Sequence, residues 1–391
     1  MPSLSETIAR MSALGGLSHF GSGQGGAGRL TDLDGFGSNP GALRAKIHLP
    51  ESLAEHPALV VVLHGCTQTA DGYDAGSGWS QLADRHGFAL LYPEQQRQNN
   101  ANTCFNWFTP EDIRRGQGEA LSICQMIGAM VETHGIDPAR IFVTGLSAGG
   151  AMASVMLATY PELFAGGAII AGLPYACAAS VPQAFERMRG HGMPGEAELS
   201  GLVRKASPHE GPWPTISIWH GSGDATVSPS NVNAIIGQWR SLHGVQAEPS
   251  RVEAVDGYPR RVWCDASGRE VMEEYSITGM GHGTPLDTSG ADGCGASGAY
   301  MLEVSISSTR HICRFWGLAE GKPAAAGQHA PAAEPKKLER IAVSTAATAA
   351  PVAGHARGST ARPQTHADAP AGVAGVGKII EDALRTAGLM H

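Results

Sequence analysis

The sequence is short of charge, of long apolar runs and of metal-ligand spacing, and each shortage closes off a class of function. Charged side chains make up 16% of the 391 residues, with 28 basic against 36 acidic and a formal net charge of -8. No basic run or stripe stands out, so nucleic acid is not an expected partner. No stretch approaches the roughly 20 consecutive apolar residues of a membrane-spanning helix. The seven cysteines (Cys66, Cys104, Cys124, Cys177, Cys264, Cys294, Cys313) include no Cys-x-x-Cys pair, and no His-rich spacing accompanies them. Neither a metal nor a cofactor is therefore expected. The opening MPSLSETIARMSALGG lacks a basic region, a long apolar core and a small-residue cleavage site, and reads instead as a short amphipathic helix. The expectation is a cytoplasmic protein with reduced thiols, or a secreted one if the natural chain starts elsewhere.

What remains is a chain that is 42% hydrophobic and carries 52 glycines, enough for one large α/β domain with appendages. Residues 1–41 are read as an N-terminal helix and a flexible glycine-rich lead-in, and 42–318 as the folded domain. Residues 319–375, rich in Ala, Pro and Gly, cannot bury enough apolar surface to offset their ordering entropy and are expected to be disordered. Residues 376–391 show a short apolar stripe (Ile379, Ile380, Ala383, Leu384, Ala387) that predicts a terminal helix.

Within the domain, buried strands are expected at Leu43–Leu49, Ala58–Leu63, Phe88–Tyr92, Ile141–Thr144, Ala168–Ala171 and Thr215–Trp219. The continuous apolar runs among them suit a mostly parallel central sheet covered by helices on both faces. Helices are predicted over 79–87, 118–134, 230–242 and 311–318. Residues 94–108 read as a long irregular loop, 176–212 as a partly helical cap over the site, and 251–278 as antiparallel edge strands.

The chemistry centres on Ile141–Ala153, IFVTGLSAGGAMA. A strand runs into Gly145-Leu146-Ser147-Ala148-Gly149 and out into helix formers, the context of a nucleophile elbow. The turn would aim the Ser147 hydroxyl out of the sheet, with the Ala148 amide at a helix N-terminus as an oxyanion donor. The turn after the 58–63 strand, His64-Gly65-Cys66-Thr67-Gln68, would supply the Cys66 amide as the second donor. His64 reads as a turn histidine packed under the site. The Cys66 side chain reads as buried or disulfide-bonded rather than nucleophilic. Asp224, in HGSGDATV after the 215–219 strand, is the candidate acid, with Asp256 and Asp287 as rivals. His282, in GMGHG, is the candidate base, with His220 and His64 as rivals. The order Ser147, Asp224, His282 is that of the α/β-hydrolase fold.

Together HGCTQT, NNANTCFNWF, GLSAGGAMA, HGSGDATV and GMGHG resemble the poly(3-hydroxybutyrate) depolymerase family of esterases, over about 43–318. The resemblance implies an α/β-hydrolase that cuts ester bonds of poly(3-hydroxybutyrate) or its oligomers. Related branches act on feruloyl or acetyl esters, which is the alternative reading. A non-catalytic granule-binding protein is the reading from another class. The resemblance implies Ser147, Asp224 and His282 as catalytic residues, and the amides of Cys66 and Ala148 as oxyanion donors. It implies that Trp107 lines the polymer crevice, and that the surface of a polyhydroxyalkanoate granule is a partner. It also places Cys66 and Cys104 near each other at the rim, where a disulfide and two free thiols both stay open.

Overall fold

The computed structural model describes residues 28–319. Ten strands form one twisted sheet: β1 (Thr31–Asp32), β2 (Arg44–His48), β3 (Leu59–Leu63), β4 (Ala89–Glu94), β5 (Ile141–Leu146), β6 (Gly166–Ile170), β7 (Thr215–Gly221), β8 (Arg251–Val255), β9 (Tyr258–Cys264) and β10 (Glu270–Ile277). Their order across the sheet is β1-β2-β4-β3-β5-β6-β7-β10-β9-β8. The inner pairings from β4 through β10 are parallel, and antiparallel strands close both edges. This is the α/β-hydrolase architecture. A separate parallel ladder joins β11 (Thr284–Leu286) to β12 (Met301–Glu303).

β3 shows why the apolar runs are continuous. Leu59, Val61 and Leu63 point into one core, shared with residues of the Gly118–His134, Ala148–Thr159 and Ser230–His243 helices. Val60 and Val62 point into a second core, shared with residues of the Ala70–Ser77, Trp79–His86 and Ser308–Phe315 helices. A strand alternates its side chains between faces, so a sheet covered on both sides needs apolar residues at every position. The Ala148–Thr159 helix is buried at all twelve positions, which explains its lack of any charged residue.

Several expectations are corrected. The lead-in expected to be flexible is ordered from 28 onward: β1 pairs with β2, and Asn39 bonds both Leu43 backbone groups and takes Gln125 Oε1 on its own amide. β4 runs through Pro93 to Glu94, with Pro93 opposite Ala45 of β2. A helix at Ala70–Ser77, started by a Thr69 cap, was not legible as one because Gly and Asp break its apolar pattern. The 176–212 segment holds two helices, Val181–Met188 and Glu196–Ala206, and its bonds run to the Ser230–His243 helix: Gln238 Nε2 donates to Leu199 O, and Arg240 pairs with Glu196. The end of its first helix also meets the turn that follows Asp224, where Met188 O accepts the Ser228 amide (2.7 Å) and Arg187 O accepts Asn231 Nδ2 (3.0 Å).

The 251–278 region contains the most informative correction. β8 and β9 are antiparallel as expected, but β10 is a buried strand running parallel to β7. Its polar residues misled the pattern. Glu273 and Glu274 are buried because Arg260 and Arg261 of β9 pair with them across the sheet. The linker expected over 319–375 lies outside the described residues from 320 on, as do the terminal helix over 376–391 and residues 1–27.

Candidate active site

Ser147 sits between β5 and the Ala148–Thr159 helix with φ 57° and ψ −117°, a strained conformation for a residue with a Cβ. Its amide donates to Ile170 O of β6 (2.9 Å), and its carbonyl accepts the Ala151 amide (2.8 Å), so the turn is clamped from both sides. Gly149 has to be glycine. A Cβ there would run into the carbonyl oxygens of Leu63 and His64, so its absence lets the elbow press on the end of β3. That contact brings the His64–Gln68 turn against the start of the helix carrying Ala148. Ser147 is 9% exposed, at the sheet's carboxyl rim.

The turn after β3 is fixed by its own side chains and by the 94–108 loop. Gly65 N–H donates to Gln68 Oε1 (2.8 Å), and Thr67 N–H donates to Asn102 O (2.7 Å). His64 Nε2 accepts the Gln95 amide (3.1 Å), which leaves Nδ1 to donate to Gly65 O (2.8 Å). Burial lowers its pKa, and Phe105 covers its ring. His64 is thus a neutral residue packed under the site.

Cys66 is joined to Cys104 by a disulfide, with Cα atoms 4.2 Å apart. The expectation of reduced thiols is corrected at this pair. The loop folds back over the turn and brings the two together, while the other five cysteines are unpaired. What holds the loop was missed in the sequence. The buried Glu119 carboxylate accepts the Asn106 amide (2.9 Å), Asn106 Nδ2 (2.8 Å) and Gln95 Nε2 (2.5 Å). Burial pushes its pKa up to about 8, the nearby Asp112 adds to this, and the amide donors pull back. In the sequence, Glu119 looks like an ordinary acid in the first turn of a helix. The only hint was the amide-rich stretch after a buried strand.

Trp107 lies on the same loop, 5% exposed, in the larger core and edge-on to Phe108 at 5.2 Å. Its ring presents little surface of the kind expected for a crevice wall. Packing takes most of it.

Asp224 and His282 meet where β7 and β10 end side by side. Gly221 has no room for a Cβ because the Met280 carbonyl lies against it. Ser222 N–H donates to Ile277 O, Gly223 N–H to Met280 O and Gly279 N–H to Ser222 Oγ, so the acid loop and the histidine turn are stitched together. Across that seam His282 Nδ1 donates to Asp224 Oδ2 (2.7 Å). Asp224 Oδ1 accepts the amides of Thr226 (2.8 Å) and Val227 (2.9 Å). Burial alone would raise the Asp224 pKa, but hydrogen bonds from His220 and His282 hold it well below the usual carboxylate range.

The rivals are placed elsewhere. His220 lies behind Asp224, with Nε2 donating to Val227 O (2.8 Å) and 3.3 Å from Asp224 Oδ2. Asp256 pairs with His311, and Asp287 with Arg310. Ser147 follows β5, Asp224 follows β7 and His282 follows β10. These strands are mutually parallel, so all three loops leave the same rim of the sheet. An arrangement with an oriented imidazole, a strained serine at a helix N-terminus and backbone amides close by can perform acyl transfer.

Residues 43–254 match the family described as Esterase PHB depolymerase. The chain is 50% identical to Poly(3-hydroxyalkanoate) depolymerase C of Paucimonas lemoignei over 291 residues, 74% of this chain and 70% of that protein. The chain belongs to the PHB depolymerase esterase family. Membership makes it a carboxylic ester hydrolase. Within the family's wider relations it is 32% identical to Feruloyl esterase B of Talaromyces stipitatus, covering 67% of this chain and 74% of that one. Among solved structures, an acetyl xylan esterase from Aspergillus awamori superposes with a TM-score of 0.63 at 26% identity, covering 74% of this chain and 99% of that one.

Proposed function

We propose that the protein hydrolyses the ester bonds of poly(3-hydroxybutyrate) or its oligomers, with Ser147, His282 and Asp224 as the catalytic residues. The observation that carries the substrate is the 50% identity, over 74% of the chain, to a protein named as a poly(3-hydroxyalkanoate) depolymerase. In this reading Ser147 Oγ attacks the ester carbonyl while His282 Nε2 takes its proton. The oxyanion is met by the amides of Cys66 and Ala148, and His282 returns the proton to the departing hydroxyl. Water, activated by the same imidazole, then releases the 3-hydroxyacyl group from Ser147. Asp224, held ionised, fixes the tautomer with the proton on Nδ1 and balances the imidazolium.

The second reading, an esterase for feruloyl or acetyl groups on carbohydrate, is favoured by the relatives with those names. Turnover of 3-hydroxybutyrate trimer and amorphous polymer, measured beside methyl ferulate, acetylated xylan and a p-nitrophenyl ester, separates the two. Ser147→Ala is expected to keep its fold and lose all of these activities, to about 10⁻⁶ of normal kcat. Near-normal turnover would remove Ser147 from its role, and a preference for ferulate or acetylxylan would move the substrate to the second reading.

Association with a polyhydroxyalkanoate granule surface belongs to the same proposal and is checked by sedimentation with granules. On location, the Cys66–Cys104 bridge favours the secreted alternative over the cytoplasmic expectation. Thiol labelling of enzyme taken from intact cells decides between them.

A further inference from the structure

The Cys66 amide lies in a turn outside every helix and strand, so its direction has to be set by contacts. Its own peptide is held from the carbonyl side. Gly65 O accepts His64 Nδ1 (2.8 Å) and the Gln68 amide (3.3 Å), and a trans peptide then points the Cys66 N–H the other way. Among the described residues no acceptor takes that N–H. The chain just beyond it is held from the 94–108 loop. Cys66 is bonded through its sulfur to Cys104, and the left-handed Thr67 (φ 63°) donates its amide to Asn102 O (2.7 Å).

Both of those ties lead to one side chain. Asn100 Oδ1 accepts the amides of Asn102 (3.0 Å) and Cys104 (3.3 Å), the two residues that reach the oxyanion turn. Asn100 Nδ2 donates to Asn106 Oδ1 (3.1 Å), and Asn106 is gripped in turn by the Glu119 carboxylate. The Asn100 backbone is fixed as well: its amide donates to Gln96 O (3.1 Å), and its carbonyl accepts the Thr103 amide (2.8 Å). A carboxamide suits this place because it must accept from two amides and donate to a third group. An unbroken series of bonds thus runs from buried Glu119, through Asn106 and Asn100, to Thr67 and Cys66.

We propose that Asn100 is a positioning residue for the hydrolysis, holding the Cys66 amide toward the oxyanion through the Cys66–Cys104 bridge and the Asn102–Thr67 bond. The proposal rests on the ester-hydrolase reading, with Ser147 as nucleophile and the Cys66 amide as an oxyanion donor. Such a donor is effective because it is already in place when the charge develops, and loosening it adds reorganisation at that moment. Asn100 therefore acts on the transition state rather than on ester affinity.

Asn100→Ala is expected to lower kcat on a p-nitrophenyl ester about tenfold with KM unchanged, short of the roughly 10²–10³ for a donor lost outright. The rate is counted per titratable serine, so unfolded enzyme drops out of it. A short-chain trifluoromethyl ketone, whose adduct with Ser147 places an oxyanion at the same amides, should bind more weakly by the same factor. Asn100→Asp keeps the acceptor for both amides and is expected within about threefold of wild type. Cys104→Ser breaks the bridge and leaves the Asn100 bonds in place, so it carries the test if Asn100→Ala fails to fold. It should lower kcat and ketone affinity together, and Asn100→Ala added to it should cost less than in wild type, one of its two routes being gone. Wild-type kcat in Asn100→Ala and Cys104→Ser would overturn the proposal. So would a fall in kcat with ketone affinity unchanged, or an Asn100→Asp enzyme as impaired as Asn100→Ala. Ser147→Ala, run alongside, tests the underlying reading: if it retains activity, that reading fails whatever the Asn100 variants do.

Discussion

Two buried carboxylates lie near the same rim and are driven in opposite directions. Asp224 is hydrogen-bonded by the His282 imidazole and two backbone amides, with His220 Nε2 3.3 Å from its Oδ2, and its pKa falls well below the usual range. Glu119 is at least as deeply buried and also accepts several hydrogen bonds, yet its pKa rises to about 8. The difference is the partner. The groups on Glu119 are neutral amides, whereas Asp224 faces an imidazole that can become a cation. Neutral donors offset only part of a desolvation penalty, while a neighbouring cation can reverse it. One acid is thereby kept charged beside His282, and the other serves as a clasp for the 94–108 loop.

The strongest way to break this comparison is to remove the charge from Asp224 alone. Asp224→Asn is expected to reduce kcat by about 10⁴, because an amide facing Nδ1 stabilises the wrong tautomer of His282. Asp256→Asn and Asp287→Asn, whose partners are His311 and Arg310, are expected to stay within a few-fold of normal. A large loss in either, with little in Asp224→Asn, would reassign the acid.

The comparison also explains what could be read in the sequence. Asp224 was legible because a buried strand, a glycine-rich turn and an acid occur together, and the sheet then has to place that turn beside the one carrying His282. The parallel core was legible because strands covered on both faces are apolar at every position. Glu119 was not legible, because its partners come from the loop residues Gln95 and Asn106, and no spacing announces that meeting. β10 was misread for the same reason: Glu273 and Glu274 look solvent-facing until Arg260 and Arg261 arrive from the neighbouring strand. Local chemistry was readable, and side chains satisfied from a distance were not.

Trp107 lies one residue beyond Asn106, so it tests how much of the loop's role passes through the Glu119 clasp. Trp107→Ala is expected to lose about 3–5 kcal/mol of stability, as for other buried aromatic truncations. With the ring mostly in the core, polymer and p-nitrophenyl ester hydrolysis should decline together, measured below the lowered melting temperature. A loss confined to the polymer would restore Trp107 as a crevice residue in spite of its burial.

The smallest effect is the one that isolates Glu119's proton. The unfolded chain releases it near the ordinary glutamate value, whereas the folded chain keeps it until about pH 8. Between those values the unfolded state holds fewer protons, so this group makes stability fall as pH rises from about 5 to about 8. Asp224 has the opposite sign: its contribution is present above the ordinary aspartate value and disappears only as pH falls toward its depressed one. Glu119→Gln cannot ionise. It will be less stable at every pH, because its single oxygen cannot accept from all three amides, but its decline in melting temperature from pH 5 to 8 should be shallower than wild type by several degrees, at roughly 2–4 °C per kcal/mol. Groups such as Glu273 and His311 titrate in both proteins and cancel in that difference. Parallel curves for the two proteins would mean that Glu119 is charged in the fold at neutral pH, and that amide donors alone can hold a buried carboxylate as firmly as the histidines hold Asp224.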